Sequence, residues 1–506
     1  MSAPESGDIA AWLQEALALH RRADYAAAER LYRRVLQRQP HHFDALHLLG
    51  VAARQRGDPH GAIEFISQAI AVDPAQAAAY CNLGAALQDI GDSAAALIEF
   101  ERALAIRPGY ALAHNNRGNA LRNLARYAEA LQSYQDALRH QADYAEAAYN
   151  CGTVLHRLER HDDAVESYDW ALRVKPGYAD AWCNRGSALH MLQRYDAALD
   201  SFAEALRLDP THASALCNRG LALHKLGRDE EAMQDYRAAI ALRPAYADAH
   251  FFLGNVLRQL QRLEEAAASY RRALDCGADA QMVNFALAAL GETVDDAAGG
   301  LPPSAPVAYV KDLFDAYADH FDVHLVDVLQ YQTPQRMLEA VHKAGIEAGA
   351  CVDLGCGTGL CGVLLRPLAK TLAGVDLSPK MLEKARRRGI YDSLECAELC
   401  AFLAQREQAF DLAVAADVLV YIGDLAPLML AAKRALRPGG VFVFSVEECT
   451  DAPYILRASQ RYAHSSVYVQ DVAVQAGMGV RSIERHVLRE ERGVAIVGLI
   501  VILGVL

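Results

Sequence analysis

The residues best suited to chemistry lie between positions 352 and 376. In Val352-Asp-Leu-Gly-Cys-Gly-Thr-Gly359 an apolar run ends in Asp353, then Gly355, Gly357 and Gly359 alternate with small residues, and the apolar stretch Leu360 to Leu365 follows. That order reads as strand, tight turn, helix. Glycines at such a turn permit positive φ and close approach of backbone to a ligand, while the helix start offers free N–H groups to polar atoms. A nucleotide-like molecule suits this arrangement. About 20 residues further on, Gly374-Val-Asp-Leu-Ser378 reads as the end of a second strand, with Asp376 placed to accept hydrogen bonds from both hydroxyls of a ribose. A dinucleotide fold asks for G-x-G-x-x-G; here the third glycine comes one residue early and Leu360 takes its place, which counts against NAD.

Later features keep the same order: Glu398 in Cys396-Ala-Glu-Leu399, the strand-like Phe410-Asp-Leu-Ala-Val-Ala-Ala-Asp417, and the turn Leu436-Arg-Pro-Gly-Gly440. On these residues the second half resembles the class I S-adenosylmethionine-dependent methyltransferases. The resemblance implies S-adenosylmethionine as cofactor. Asp353 and the turn Gly355, Gly357 and Gly359 would hold its amino-acid part, Asp376 with Leu377 the ribose, and Ala397 with Glu398 the adenine edge. Asp417 would lie beside the sulfonium and the incoming acceptor. Methyl transfer is an in-line displacement, so proximity, alignment and a dry pocket do most of the work. A base is needed only for a protonated acceptor, and Tyr421, Tyr462 and His464 are the candidates. For His464 the alternative is a capping role at the start of a helix over 465–476.

The elements that position these groups alternate strand and helix from Cys351 onward, which implies a mainly parallel sheet with helices on both faces and the site at the carboxyl ends of the strands. Arg481 to Glu490, a turn around Gly493 and Val494 to Leu506 read as an antiparallel hairpin finishing the sheet, a second argument against NAD. Before the first strand, Tyr309 to His324 reads as one or two helices with Phe314, Tyr317 and Phe321 on one face. Its wording, Leu313-Phe-Asp-Ala-Tyr-Ala-Asp-His-Phe-Asp-Val-His-Leu325, is similar to that of bacterial methyltransferases fused to tetratricopeptide repeats. That likeness implies a segment folded over the cofactor, with Tyr317 either touching its methionine end or packing as a lid aromatic.

The first half is a repeat array. Glycine recurs at 50, 84, 118, 152, 186, 220 and 254, an interval of 34, and alanine in the same frame at 28, 62, 96, 130, 164, 198, 232 and 266. Four residues after each alanine stands a large side chain, from Tyr32 to Tyr270, and proline closes most units. A fixed period of this length means a solenoid. The pattern resembles the tetratricopeptide repeat over about residues 8 to 278, as eight units, the first degenerate, with a closing helix over 281–290. Asparagine occupies one repeat position at 82, 116, 150, 184 and 218, beside Arg117, Arg185 and Arg219. A ladder of Asn82, Asn116, Asn150, Asn184 and Asn218 is either a structural hydrogen bond copied from repeat to repeat or, by resemblance to the O-linked N-acetylglucosamine transferases, a grip on extended peptide backbone. The arginines would then favour acidic segments. His156, His190 and His224 recur roughly 10 Å apart, two helix spacings per repeat, too far for one metal.

The chain has 506 residues, 53% of them hydrophobic, and a formal net charge of −13, which excludes wholesale disorder and argues against nucleic-acid binding. The run Lys384-Ala-Arg-Arg-Arg388 suits a helix C-terminus. Eleven cysteines form no C-x-x-C pair and read as reduced, buried thiols, so no metal and a cytoplasmic location are expected. No secretion signal and no bilayer span are read, and no membrane partner is expected. Residues 291–306 are dense in breakers and read as a linker between an α-solenoid of residues 1–290 and a Rossmann-like α/β domain of residues 307–506. The expected function is a methyltransferase whose array recruits a protein or peptide. Two other readings stand beside it: a scaffold with an idle catalytic fold, and a small-molecule methyltransferase whose repeats only localise or oligomerise it.

Overall fold

A 34-residue period that pairs one glycine with one aromatic builds a helical hairpin, because the missing side chain on one helix makes room for the ring on the next. The computed structural model describes residues 5–292, 301–319, 321–323, 325, 331–346, 349–491 and 494–506. It divides by packing into two units, Met1–Pro244 and Ala245–Leu506.

The first unit holds seven helix pairs among its described residues, from Glu5–Arg21 with Tyr25–Arg38 to Ala213–Lys225 with Asp229–Leu242. In the repeat made of Ala145–Arg157 and His161–Val174, a Cβ added at Gly152 would stand 2.7 Å from Cε1 of the buried Tyr168. The same near-collision recurs at Gly118 against Tyr134 (2.5 Å) and at Gly186 against Phe202 (2.6 Å). Glycine is therefore kept against its helix propensity. Gly152→Ala, which ordinarily stabilises a helix, should here destabilise the first unit by about 1–3 kcal/mol through overpacking, read as a lowered midpoint in urea. A shift in the opposite direction would show that the ring yields freely.

The second unit begins with the eighth repeat, Ala247–Gln259 and Leu263–Asp275, and the closing helix Ala280–Ala288. Its sheet contains β1 (Ala350–Leu354), β2 (Thr371–Asp376), β3 (Ser393–Cys396), β4 (Phe410–Ala415), β5 (Leu436–Glu448), β6 (Tyr454–Leu456), β7 (Tyr462–His464), β8 (Met478–Glu491) and β9 (Val494–Val505). The order runs β3-β2-β1-β4-β5, all parallel. On the far edge of β5, β9 pairs antiparallel from Val441 opposite Gly504 to Glu447 opposite Gly498, and β8 follows on β9. The expected terminal hairpin is present; the turn at Gly493 lies outside the described residues. Alternate residues of each strand enter opposite cores. Val352, Leu354, Phe442 and Phe444 pack under helices Ala426–Ala435 and Ser466–Gln475, while Cys351, Leu412, Val443 and Ile502 pack with Met337 of helix Thr333–Lys343.

Three expectations need revision. The packing boundary falls one repeat before residue 290, because Phe285 of the closing helix buries itself among Tyr309, Val420, Leu456 and Tyr462. Part of the expected linker, residues 293–300, lies outside the described residues, but Leu301 to Pro306 is a pinned strap. Pro302 O accepts from the Tyr462 hydroxyl (2.6 Å), Pro303 O from Gly423 N (2.8 Å), and Ala305 N donates to Tyr421 O (2.8 Å). The expected turn at Leu436 to Gly440 is instead a bulge inside β5, where the pairing with β4 steps from Phe410–Leu436 to Leu412–Val441 and Gly439 takes φ +77°. No helix among the described residues is long and apolar enough to cross a membrane.

Candidate functional site

Strand β1 delivers the glycine turn, and its backbone is left-handed at three points: Gly355 (φ +70°), Gly357 (φ +53°) and Gly359 (φ +95°). A side chain at Gly355 would also collide with Val418, whose Cγ2 would lie 2.3 Å from the new Cβ. At the end of β2 the Asp376 carboxylate ties the turn to the neighbouring strand: Oδ2 accepts from Gly357 N and Oδ1 from Ser378 N, both at 2.8 Å. Burial pushes this carboxyl up and the N–H donors pull it back. Each oxygen keeps a second lone pair for a ligand hydroxyl.

These groups edge a cavity of about 720 Å3 lined by Gly355, Gly357, Asp376, Leu377, Glu398, Asp417, Tyr317 and Tyr421 from the expected set. Glu398 caps the helix Leu399–Ala404 through Ala401 N (2.8 Å). Gly359 initiates the helix Leu360–Leu365, and neither it, Ala397 nor Asp353 lines the cavity. Over the opening lies the helix Val307–Tyr317, which supplies Val310, Leu313, Phe314 and Tyr317. Asp315 accepts from the Ser378 hydroxyl at 2.5 Å, and Lys384 pairs with Asp319 at 2.9 Å. Asp322 bonds both the Thr358 hydroxyl and Arg388. The basic run at 384–388 thus fastens the lid segment. The His324 end of the expected lid lies outside the described residues.

At the other end of the cavity sits a charged cluster that spacing alone did not reveal. Asp417 is held in the left-handed region (φ +57°), its N–H on the Ser445 hydroxyl at 2.9 Å. Its Oδ2 accepts from Arg489 Nη1 at 3.0 Å. Arg489, on β8 and only 4% exposed, also bonds Glu447. Glu447 in turn accepts from Arg457 Nη1 at 2.6 Å, with Arg461 Nη1 at 3.9 Å. A register shift between Val487 and Arg489 re-aims the strand at this point.

Of the candidate bases only Tyr421 borders the cavity, and burial raises its hydroxyl. Tyr462 spends its hydroxyl on Pro302 O. His464 is fully buried in β7, with Nε2 3.1 Å from Gly423 O, and burial pulls it down to about 4. Neither faces the cavity. The helix after it is capped by Ser465, which accepts from Tyr468 N at 3.2 Å, so His464 is not the cap either.

Asp353 lies beneath the turn with Oδ2 accepting from the Tyr391 hydroxyl at 2.6 Å. Burial pushes its carboxyl from 3.8 up to about 7. The folded state then binds the proton more tightly than the unfolded chain, so this contribution to stability is complete below pH 4 and is lost as pH rises to about 7. Asp353→Asn should flatten that slope in the cofactor-free protein, on the order of 4 kcal/mol across the window. Urea midpoints at pH 5 and pH 8 test it; an unchanged slope would place the titration elsewhere.

In the first unit the asparagines are engaged between repeats. Asn150 donates to Asn115 Oδ1 (3.0 Å), Asn184 to the Tyr149 hydroxyl (3.0 Å) and Asn218 to the Ser187 hydroxyl (3.0 Å). Asn82 meets His47 Nε2 at 2.8 Å and Asn116 donates to Cys81 Sγ at 3.8 Å. The arginines expected to attract acidic segments pair within the array: Arg117 with Glu101 (3.1 Å) and Arg185 with Asp169 (2.7 Å) of the preceding repeat, and Arg219 with Asp235 (2.6 Å) of its own hairpin.

Residues 352–444 match a family described as a methyltransferase domain, and residues 13–71, 115–169, 152–213 and 222–257, among others, match tetratricopeptide-repeat families. The chain is 32% identical over 141 residues to a malonyl-(acyl-carrier protein) O-methyltransferase of Halorhodospira halophila, covering 27% of this chain and 47% of that protein. It is 27% identical over 136 residues to a ubiquinone biosynthesis O-methyltransferase of Xanthomonas oryzae pv. oryzae, covering 24% and 57%. The chain thus spans about half the length of the curated relatives it matches. Among solved structures it is similar to YrrB, titled a TPR protein with an unusual peptide-binding site, at 27% identity over 37% of this chain and 96% of that one, with a TM-score of 0.33.

Proposed function

Taking as premise that this chain joins tetratricopeptide repeats to a methyltransferase domain, we propose that it methylates a small acceptor enclosed in the cavity of the second unit, with S-adenosylmethionine as methyl donor. The observation that carries the reading is the buried Asp376 carboxylate, set in the cavity wall and cross-tied to the glycine turn. The residues present fit the cofactor: hydroxyl acceptors at Asp376, bare backbone at Gly355 and Gly357, and Leu377, Glu398 and Leu399 in the same cavity wall. When bound, S-adenosylmethionine supplies a methyl carbon already activated by positive sulfur. What this chain adds is alignment and exclusion of water by the lid helix and the strap. Tyr317, Phe314 and Phe321 close the volume in which acceptor and methyl group meet. No proton acceptor is required of Tyr462 or His464.

For the array, a recruiting role is supported by a recess of about 530 Å3 lined by Asn119, Arg122, Tyr144, Glu146, Tyr149, Asn150, Lys175 and Tyr178. It offers both hydrogen-bonding and aromatic surface to a protein partner, and one relative acts on a group borne by an acyl-carrier protein. The test is calorimetric titration of the full chain with S-adenosylhomocysteine, followed by transfer of labelled methyl to a cell extract. Micromolar binding and labelled small molecules are expected. Binding without any transfer would favour the idle scaffold, and its absence from folded protein would end the enzymatic reading.

A further inference from the structure

The doublet Phe314-Asp315 returns seven residues later as Phe321-Asp322. In both copies the ring lines the cavity. Phe314 and Phe321 lie 6.0 Å apart between centroids, and Tyr317 is 5.7 Å from Phe321. Phe321 also stands over the glycine turn, its Cε1 3.6 Å from where a Cβ on Gly357 would be. In both copies the carboxylate goes elsewhere, to the elements that carry the ribose carboxylate and the glycine turn.

Asp315 Oδ1 accepts from the Ser378 hydroxyl at 2.5 Å and from Lys380 N at 3.3 Å. Ser378 is fully buried and its own N–H goes to Asp376 Oδ1 at 2.8 Å, so Asp315 stands one residue behind the ribose carboxylate. Asp322 accepts from the hydroxyl of Thr358, the 1% exposed residue between Gly357 and Gly359, and from Arg388. Arg388 Nε donates to Thr358 O at 2.6 Å, and Asp376 Oδ2 accepts from Gly357 N at 2.8 Å. The contacts form a closed circuit, Asp315 to Ser378 to Asp376 to Gly357 to Thr358 to Asp322, which starts and ends on the lid segment. Hydrogen bonds to a carboxylate are the strong kind, and a buried hydroxyl that loses its acceptor is costly. Ser378 and Thr358 therefore hold the lid down, and the lid holds them in place.

Resting on the S-adenosylmethionine reading, we propose that Asp315 and Asp322 are positioning residues for the cofactor: they act through Ser378 and Thr358 on Asp376 and the glycine turn, and the cofactor leaves only when both carboxylate contacts open. Phe314 and Phe321 move with those contacts, so the aromatic wall on the acceptor side stands only over a closed cofactor site. A closure that follows entry slows departure and leaves arrival alone. General loosening would instead shrink the binding-competent fraction and slow arrival too.

The experiment follows association and dissociation of S-adenosylhomocysteine on the immobilised full chain. Asp315→Ala and Asp322→Ala should each speed dissociation about tenfold, the loss of one charge-assisted hydrogen bond, with association within about threefold of the parent. Asp315→Asn and Asp322→Asn keep an acceptor oxygen and should speed dissociation only about threefold; they carry the test where an alanine variant does not fold, as judged by thermal melting. Amide hydrogen exchange in Asp315→Ala, or in Asp315→Asn if the alanine variant does not fold, should quicken over 376–381, where no residue was changed, as well as over 307–317. Unchanged dissociation, association slowed as much as dissociation is quickened, or unaltered exchange over 376–381 would each overturn the proposal and leave the methyltransferase reading in place. Failure of S-adenosylhomocysteine to bind the parent would remove both.

Discussion

Asp376→Ala should weaken S-adenosylhomocysteine binding by a factor of about 100 to 10,000. A carboxylate that accepts two ribose hydroxyls makes two charge-assisted hydrogen bonds, each worth about 1.5–3 kcal/mol, and 1.4 kcal/mol is about a tenfold change in affinity. The variant also frees Gly357 N and Ser378 N, which Asp376 now holds at 2.8 Å, so the glycine turn loses its tie to β2. Asp376→Asn keeps one acceptor oxygen and should fall between parent and alanine. Calorimetry against S-adenosylhomocysteine measures both, with a thermal melt of the cofactor-free proteins to confirm folding. A folded alanine variant that binds within threefold of the parent would sink the ribose assignment.

The second large effect concerns Phe285. Its ring is 1% exposed and packs tilted against Tyr309 and Tyr462, at centroid distances of 5.4 and 6.3 Å. Those two tyrosines lead to the strap and to the cavity wall, so the closing helix supports the candidate site from behind. Arg258 of the eighth repeat adds a hydrogen bond to Ala458 O at 2.8 Å, next to Ser459 of the cavity lining. Phe285→Ala should destabilise the second unit by about 3–5 kcal/mol, as large-to-small core changes do. Deleting residues 1–290 removes this support altogether and should yield protein that neither melts cooperatively nor binds S-adenosylhomocysteine. Deleting residues 1–244 retains the eighth repeat and closing helix and should preserve binding. Equal behaviour of the two truncations would show that the repeat helices contribute nothing to the site.

Gly152 shows why the array was so legible. Each repeat makes the same short-range packing, so a glycine and an aromatic 16 residues apart report one hairpin, and a period of 34 reports the stack. The glycine turn was legible for a related reason: positive φ at three nearby positions demands one residue type, and Asp376 follows a single crossover later. Tyr462 and His464 were misplaced because adjacency to a strand end says nothing of which way a side chain faces. The strap was taken for linker because composition records breakers and not the carbonyls of Pro302 and Pro303, whose partners are more than a hundred residues away.

By itself the sequence determined the repeat array, the alternating sheet with its antiparallel last strand, and the nucleotide-type turn, all products of local spacing and of backbone angles that few residues adopt. Only the tertiary structure decided that the asparagines and arginines of the array find partners within it and that His464 is sealed in the core. It alone brought Arg489 and Arg461 to the cavity beside Asp417, with Glu447 bonded to Arg489 behind them. Those facts depend on a bulge in β8 and on partners distant in the chain, and a charge's neighbours across a sheet are set by register, which no local pattern encodes.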